Sequence, residues 1–208
     1  MYRFLKTNDQ IIKHLKHDPL LYSVIEKIGD LKIKLSDNYY ESLTNSIIGQ
    51  QLSSKAASAI WERVKKLANS EITPDNINRI DINDFREAGV SYAKINYIKN
   101  LSSAVLENSL NLNIINNQSN DQIIKDLTNV KGIGRWTAEM FLIFSLGRQD
   151  IFSIGDLGLK RAMKWLYQMD DNPPKDEIIR ISEQWKPYRT FASLYLWEIV
   201  DQEMYKKI

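Results

Sequence analysis

Along most of the 208-residue chain, apolar residues recur three and four positions apart rather than two. That period gathers them on one stripe of an α-helix, and no sustained alternation bounded by hairpin turns interrupts it. The pattern predicts an all-α protein, with helices over residues 9–15, 19–28, 39–48, 54–68, 74–78, 82–87, 92–106, 120–127, 135–145, 157–167, 175–184 and 187–200. Local punctuation agrees. Thr73 precedes Pro74 at a first helical position, Ser91 precedes the helix at Tyr92, and Ser119 with Gln122 forms a capping-box pattern. The polar stretches 116–120 and 170–174 are loops of ordinary length, without the character of a domain linker, and no internal repeat is visible.

Composition narrows the function classes. The chain has no cysteine, which excludes disulfides, thiol catalysis, cysteine-bound zinc and cysteine-held iron–sulfur clusters, and makes the reducing cytoplasm the natural compartment. The start, MYRFLKTNDQIIKHLKHDPLLY, is broken by Lys, Asp and His every few positions. It therefore has neither a signal-peptide core nor a membrane span, and a protein without membrane association is expected. His14 and His17 have an H-x-x-H spacing, but with only two histidines they read as exposed helix positions rather than a metal site. The formal net charge of +2 is mild, yet it is unevenly spread. Residues 131–164 carry six basic against three acidic side chains, whereas residues 170–208 carry six against eight.

The basic stretch opens with VKGIGRWTAEM (Val130 to Met140), in a chain with only 8 glycines. Gly132 can supply positive φ for a tight turn, and a missing Cβ at Gly134 lets a backbone or ligand come close. The first amides of the following helix have no intrahelical partner and point outward with the positive end of the helix dipole, which suits a phosphate flanked by Lys131 and Arg135. A plain helix–helix connection uses glycine for similar reasons, so the turn alone leaves both readings open. The helix RWTAEMFLIFS is apolar on nearly all sides and ends at Gly147, the expected C-cap.

The longer stretch VKGIGRWTAEMFLIFSLGRQDIFSIGDLGL resembles the helix–hairpin–helix, Gly/Pro-rich loop and aspartate signature of the HhH-GPD superfamily of base-excision DNA glycosylases, and within it the alkyladenine branch. SIIGQQLSSKAASAIW (Ser46 to Trp61) and WKPYRTFASLYLW (Trp185 to Trp197) agree with the same branch, in the same order, so the resemblance covers about Leu43 to Val200. It implies two helical lobes with the active site in the cleft between them. Residues 40–148 would carry the DNA-gripping parts, while residues 1–39 and 149–208 would form the second lobe with the catalytic aspartate. The β-rich amino-terminal domain of the larger bacterial members has no room before Leu43, so a minimal form is expected.

The resemblance also assigns residues. Asp156, in SIGDLGL, matches the essential aspartate, although an aspartate before a helix is also an ordinary N-cap. A carboxylate at a helix amino end tends to stay ionised, so capping and catalysis require the same protonation state. Trp136 stands where members that also cut the DNA backbone carry a Schiff-base lysine, which implies base removal without lyase chemistry. Trp197 matches the second aromatic of the alkyladenine pocket. The two indoles would sandwich a flipped, cationic alkylpurine with roughly 0.5 to 2 kcal/mol of preference over a neutral base. Both also admit a core-packing reading, which is retained for Trp61, Trp165 and Trp185.

Met140 and Glu198 occupy positions where bacterial relatives carry tyrosine, which makes the pocket less aromatic. Gln50 matches the family's loop glutamine and is expected in the substrate pocket with Trp136, Trp197 and Met140, while Gln51, Leu52 and Ser53 fall in the segment that enters the minor groove. The resemblance puts the wedge at Gln51, the chemistry of intercalation favours Leu52, and Ser53 or Ser54 would cap the next helix. DNA contacts are expected from Gln51, Leu52, Ser53, Lys131, Gly132, Gly134 and Arg135. The main-chain carbonyls of Thr128, Val130 and Ile133 match those that hold a monovalent Na+ or K+ at the hairpin, and no other cofactor is expected.

The function so implied is excision of alkylated purines, 3-methyladenine and 7-methylguanine, from duplex DNA by a monomer in the cytoplasm, nucleoid-associated in a bacterium. Alternatives are a glycosylase for oxidised or deaminated bases and a non-enzymatic hairpin protein that only clamps DNA.

Overall fold

A computed structural model of the chain describes residues 3–206. In chain order the elements are β1 (Phe4–Lys6), α1 (Asp9–Leu15), α2 (Pro19–Ile28), β2 (Lys32–Lys34), α3 (Tyr39–Gly49) and α4 (Ser54–Leu67). They continue with α5 (Pro74–Arg79), α6 (Ile82–Glu87), α7 (Tyr92–Leu106), α8 (Asn120–Thr128) and α9 (Arg135–Phe144). The chain ends with α10 (Leu157–Leu166), α11 (Lys175–Glu183) and α12 (Arg189–Asp201), and short 3₁₀ turns lie at Ile115–Asn117 and Met204–Lys206.

Each helix expected from the periodicity is present, with ends shifted by no more than about two residues. The side-chain caps explain several starts. Thr73 Oγ1 accepts the Asn76 N–H at 3.2 Å, Ser91 Oγ the Lys94 N–H at 3.4 Å, and Ser119 Oγ the Gln122 N–H at 3.2 Å. The capping box at Ser119 is one-sided, because the Gln122 side-chain amide donates to Asp126 Oδ1 at 2.6 Å instead of turning back. The last long helix begins at Arg189 rather than Pro187. Tyr188 lies outside helical geometry (φ −118°, ψ 28°), and Arg189 Nε is tied to Asp150 Oδ1 at 2.6 Å.

A two-stranded ribbon lies outside the helical pattern. β1 and β2 form an antiparallel pair in which Leu5 faces Ile33. Three residues per strand give a single in–out alternation (exposed Phe4, buried Leu5, exposed Lys6), too short to register as a period.

The chain divides into two compact units, Ser36–Phe141 and the residues up to Leu35 together with those from Leu142 onward. In the first unit, α7 packs against α3, α5 and α6, and α3 packs against α4. Its core includes Leu43, Ile47, Ile77, Phe85, Ile98 and Leu127, all at most 1% exposed. In the second unit, α12 packs against α10 and α2 around the fully buried Phe191, Tyr195 and Trp185. Trp185 does more than fill space. Its indole N–H donates at 3.0 Å to Asp18 Oδ2, which also accepts the Tyr167 hydroxyl, while Asp18 Oδ1 caps α2 through the Leu20 and Leu21 amides at 3.1 Å. A buried carboxylate is tolerated there because each of its oxygens accepts two hydrogen bonds.

The His14 expectation needs correction. His17 is exposed, but His14 is half-buried, edge-on to Tyr188 at 5.3 Å, because it shares the face of α1 that turns toward the core. Among the described residues no group of three or more His, Cys, Asp or Glu is arranged to hold a metal ion.

Candidate functional site

The hairpin lies in the Ser36–Phe141 unit, between the end of α8 at Thr128 and the start of α9 at Arg135. Gly132 has φ +107°, and a Cβ there would stand 2.2 Å from Cγ of Tyr97 on α7. The position is closed to side chains twice over, by backbone conformation and by the ring pressed against it. Gly134 is the opposite case. Nothing lies within 4 Å of its missing Cβ and the residue is exposed, so the space beside it is open to an incoming group. Lys131 and Arg135 are both exposed, as phosphate contacts must be. Arg135 is also ion-paired, its Nε 2.8 Å from Oε1 of Glu139, a carboxylate almost fully buried one helical turn on. Trp136 is 47% exposed, a large apolar surface on the first turn of α9, and Met140 is half-buried one turn further along.

The segment after α3 belongs to the same unit and is attached to the hairpin. Gln50 caps α3, and its Nε2 donates to the Gly132 carbonyl at 3.0 Å. Gln51 adopts φ +57°, uncommon for a residue with a Cβ, and the Leu52 amide returns to the Gly49 carbonyl at 3.2 Å. Gln51, Leu52 (39% exposed) and Ser53 then stand exposed at the loop tip. Between the two capping serines the geometry chooses Ser53, whose hydroxyl accepts the Ala56 N–H at 3.3 Å.

Asp156 and Trp197 lie in the other unit and meet directly. Asp156 is the N-cap of α10, buried to 8% exposure, and its Oδ1 accepts the Leu159 N–H at 2.8 Å and the Trp197 indole N–H at 3.1 Å. The indole is half-buried on α12 and packs against the Phe144 ring at a centroid distance of 5.8 Å. Gly158 makes this fit possible. A Cβ there would approach Asp156 Oδ1 to 3.1 Å and Trp197 Cδ1 to 3.3 Å. Packing of α10 on α12 thus brings the Trp197 donor to the carboxylate that caps α10. An apolar cavity of about 690 Å³, lined by Leu20, Arg161, Trp165, Met169 and Tyr205, sits toward the opposite end of α10 and contains no expected site residue.

The whole arrangement, a hairpin with an open glycine followed by a helix-capping aspartate, can be compared with known proteins. The profile of the HhH-GPD superfamily of base excision DNA repair proteins matches residues 44–187. The chain belongs to the HhH-GPD superfamily. A curated superfamily relative, DNA-3-methyladenine glycosylase 1 of Schizosaccharomyces pombe, is 33% identical, over 93% of this chain and 91% of its own. A crystal structure of DNA-3-methyladenine glycosidase from Bacillus halodurans superposes with a TM-score of 0.85 at 40% identity, covering 95% of this chain and 92% of that one. The S. pombe 3-methyladenine DNA glycosylase in complex with abasic DNA gives 0.84 at 33% identity, over 92% and 97%. This HhH-GPD chain is therefore matched over nearly its full length.

Glu139, Tyr97, Phe144 and Gly158 shape the site but were not found from the sequence. Glu139 had a signal, the i,i+4 spacing from Arg135 on a helix. Tyr97, Phe144 and Gly158 had none, because nothing in a helical period says which distant segment a residue will meet.

Proposed function

We propose that the protein is a monofunctional DNA glycosylase that hydrolyses the N-glycosidic bond of alkylated purines, 3-methyladenine and 7-methylguanine, in duplex DNA, acting as a monomer in base excision repair. The observation that carries this reading is the Asp156 carboxylate, held by the Leu159 amide and the Trp197 indole. A protein that only clamps DNA needs neither an aspartate at this position of the family signature nor the Trp136 and Trp197 pair. The names of the relatives and the superfamily match support the alkylpurine assignment.

In this mechanism the exposed Lys131 and Arg135 and the open amino end of α9 at Gly134 grip a backbone phosphate, and Gln51 and Leu52 enter the minor groove as the nucleotide leaves the stack. Trp136 offers its exposed face to the flipped base, with Met140 beside it on the helix, and the Trp197 ring gives the second aromatic surface. Gln50 sets the loop against the hairpin. An alkylated purine is already cationic and departs easily, so the main catalytic need is a negative charge for the developing oxocarbenium sugar. Asp156 supplies it, or orients the water that completes hydrolysis, and such a preorganised charge is worth about 10²- to 10³-fold in rate. With an indole at Trp136 in place of an amine, no imine to the sugar forms.

Carbonyls of Thr128, Val130 and Ile133 would hold a monovalent cation beside the phosphate. Val130 O already accepts the Ile133 N–H at 3.0 Å and keeps a second lone pair, so the chemistry of the set fits a weakly bound Na+ or K+. No described helix is long and apolar enough to cross a membrane, and a cytoplasmic location is part of this proposal.

The test is to incubate wild type and Asp156→Asn with methylated duplex DNA and identify the free bases. Release of 3-methyladenine and 7-methylguanine by wild type, strongly reduced in the variant, is expected. Release of only oxidised or deaminated bases from suitably damaged DNA would replace the alkylpurine assignment, and release of no base from any of them would leave only DNA binding. Strand nicking without alkali would refute the monofunctional assignment.

A further inference from the structure

The side chain of Lys94, on the first turn of α7, plays no part in the mechanism above, yet it ends on the loop that the mechanism uses. Its Nζ donates to the Ile48 carbonyl at 2.8 Å and to the Gln50 carbonyl at 2.7 Å. These two oxygens bracket the carboxyl end of α3, where a cation is favoured by the helix dipole. One residue later the chain takes the positive φ of Gln51, a conformation that persists only when its surroundings enforce it. Three positions along α7, on the same face as Lys94, Tyr97 presses against Gly132 of the hairpin. Gln50 closes the circuit by donating from its side chain to the Gly132 carbonyl. One face of α7 thus supports both the loop and the hairpin, and the two are bonded to each other. Burial lowers the Lys94 pKa from the usual lysine range, as expected for an ammonium drawn out of water to make these contacts.

We infer that Lys94 is a positioning residue that locks the Gln50–Ser53 loop onto the hairpin, so that phosphate grip and groove insertion act as one rigid piece. The inference rests on the proposed DNA-glycosylase reading. Its rival is simple helix capping, and the same helix provides the control. Lys99 Nζ donates to Ile77 O at 3.1 Å, Asn78 O at 2.7 Å and Ile80 O at 3.0 Å, the same chemistry at the end of α5 with no expected site residue among its partners.

The experiment compares wild type, Lys94→Met, Lys99→Met, Gln51→Ala/Leu52→Ala and the triple variant that adds Lys94→Met to that pair. Single-turnover base release from methylated duplex is read at saturating enzyme. Fluorescence of 2-aminopurine beside an alkylated purine reads unstacking, and affinity for undamaged duplex and thermal melting are measured alongside. Lys94→Met keeps the aliphatic stem and deletes the donors. It should lower the single-turnover rate roughly 10-fold, the scale of one charge-assisted hydrogen bond, and reduce the fluorescence rise. Affinity for undamaged duplex should change by less than about two-fold, since the phosphate contacts remain. In the wedge-deleted background the same change should add nothing, because interacting sites are non-additive. Lys99→Met should keep the wild-type rate.

An unchanged rate in Lys94→Met, a full additional loss in the triple variant, or an equal loss in Lys99→Met would each overturn the inference. If Lys94→Met does not fold, Lys94→Gln, a shorter neutral donor, should show an intermediate loss with the same non-additivity. The fluorescence arm needs no catalysis. A wild type that releases no base would therefore sink the proposed function while the role of Lys94 is still read from unstacking.

Discussion

The Trp197 indole N–H donates to Asp156 Oδ1 at 3.1 Å, on the same oxygen that accepts the Leu159 amide at 2.8 Å. Two helices, α10 and α12, therefore meet at one carboxylate oxygen, and the aspartate caps α10 in a geometry that is also compatible with the proposed catalytic role. The two roles separate by substitution. Asn caps a helix about as well as Asp, so Asp156→Asn should melt close to wild type while base release falls about 10²- to 10³-fold. Asp156→Ala should lose the same activity and also about 0.5 to 2 kcal/mol of stability. Single-turnover rates and urea unfolding of the two variants check both parts, and equal stability of the Asn and Ala variants would remove the capping role.

Trp197→Phe keeps an aromatic ring against Phe144 and deletes the donor to Asp156. A hydrogen bond to a charged group is worth about 1.5 to 3 kcal/mol, so the maximal single-turnover rate should fall roughly 10- to 100-fold. If Trp197 served only to stack on the base, the loss would appear instead in the enzyme concentration needed for half-maximal rate.

The two hairpin glycines should fail in different ways. Gly132→Ala places a methyl against the Tyr97 ring at a positive φ, and overpacking of this kind costs about 1 to 3 kcal/mol. Gly134→Ala meets nothing within 4 Å, so its stability should stay within about 0.5 kcal/mol of wild type while duplex affinity drops. Melting curves and titrations with undamaged DNA distinguish them. Unchanged affinity in Gly134→Ala would show that no phosphate approaches there.

Lys131 and Arg135 should differ in their electrostatic contribution. Each phosphate contact contributes about 0.9 to the slope of log affinity against log salt. Lys131→Gln should remove close to that amount. Arg135→Gln should remove less, because the buried Glu139 carboxylate already offsets part of its charge, and Glu139→Gln should steepen the slope. Duplex affinity measured across a salt series provides the test, and a larger slope change in Arg135→Gln than in Lys131→Gln contradicts it.

Alkaline stability should depend on Tyr40. Its hydroxyl is buried at 2.6 Å from Ser102 Oγ, which in turn donates to the Ile98 carbonyl at 2.9 Å, and burial pushes the phenol up to about 12. An unfolded tyrosine ionises near ~10, so the folded state holds a proton that the unfolded state releases. The resulting stability is fully present below pH ~10 and is lost as pH rises through about 12. Tyr195, whose hydroxyl donates to Gly29 O, is raised to about 12 in the same way. Tyr40→Phe should lose about 1 kcal/mol at pH 7 and show a shallower decline above pH ~10 in urea unfolding, whereas an unchanged alkaline slope would rule out its titration as a cause.

How much of this was legible in the chain can be judged residue by residue. Helix positions followed from the three-and-four spacing, and Gly132, Gly147 and the capping residues Thr73, Ser91, Ser119 and Asp156 followed from local stereochemistry. Gly147 has φ +72°, the left-handed conformation of a helix-terminating glycine. Such features are decided within a few residues, where sequence and geometry are nearly the same information. The family resemblance then drew Asp156, Trp136 and the loop after α3 into one hypothesis.

Tertiary structure decided the partners. That Trp197 bonds Asp156, that Gln50 bonds a hairpin carbonyl 82 residues away, that Lys94 bonds the Gln50 carbonyl 44 residues away, and that Tyr97 fills the space at Gly132 depend on which helix faces pack together. A period fixes the face a helix buries but not the neighbour it is buried against. Sequence alone therefore determined where the helices, turns and candidate residues of this protein lie along the chain, and packing determined which partners hold each of them.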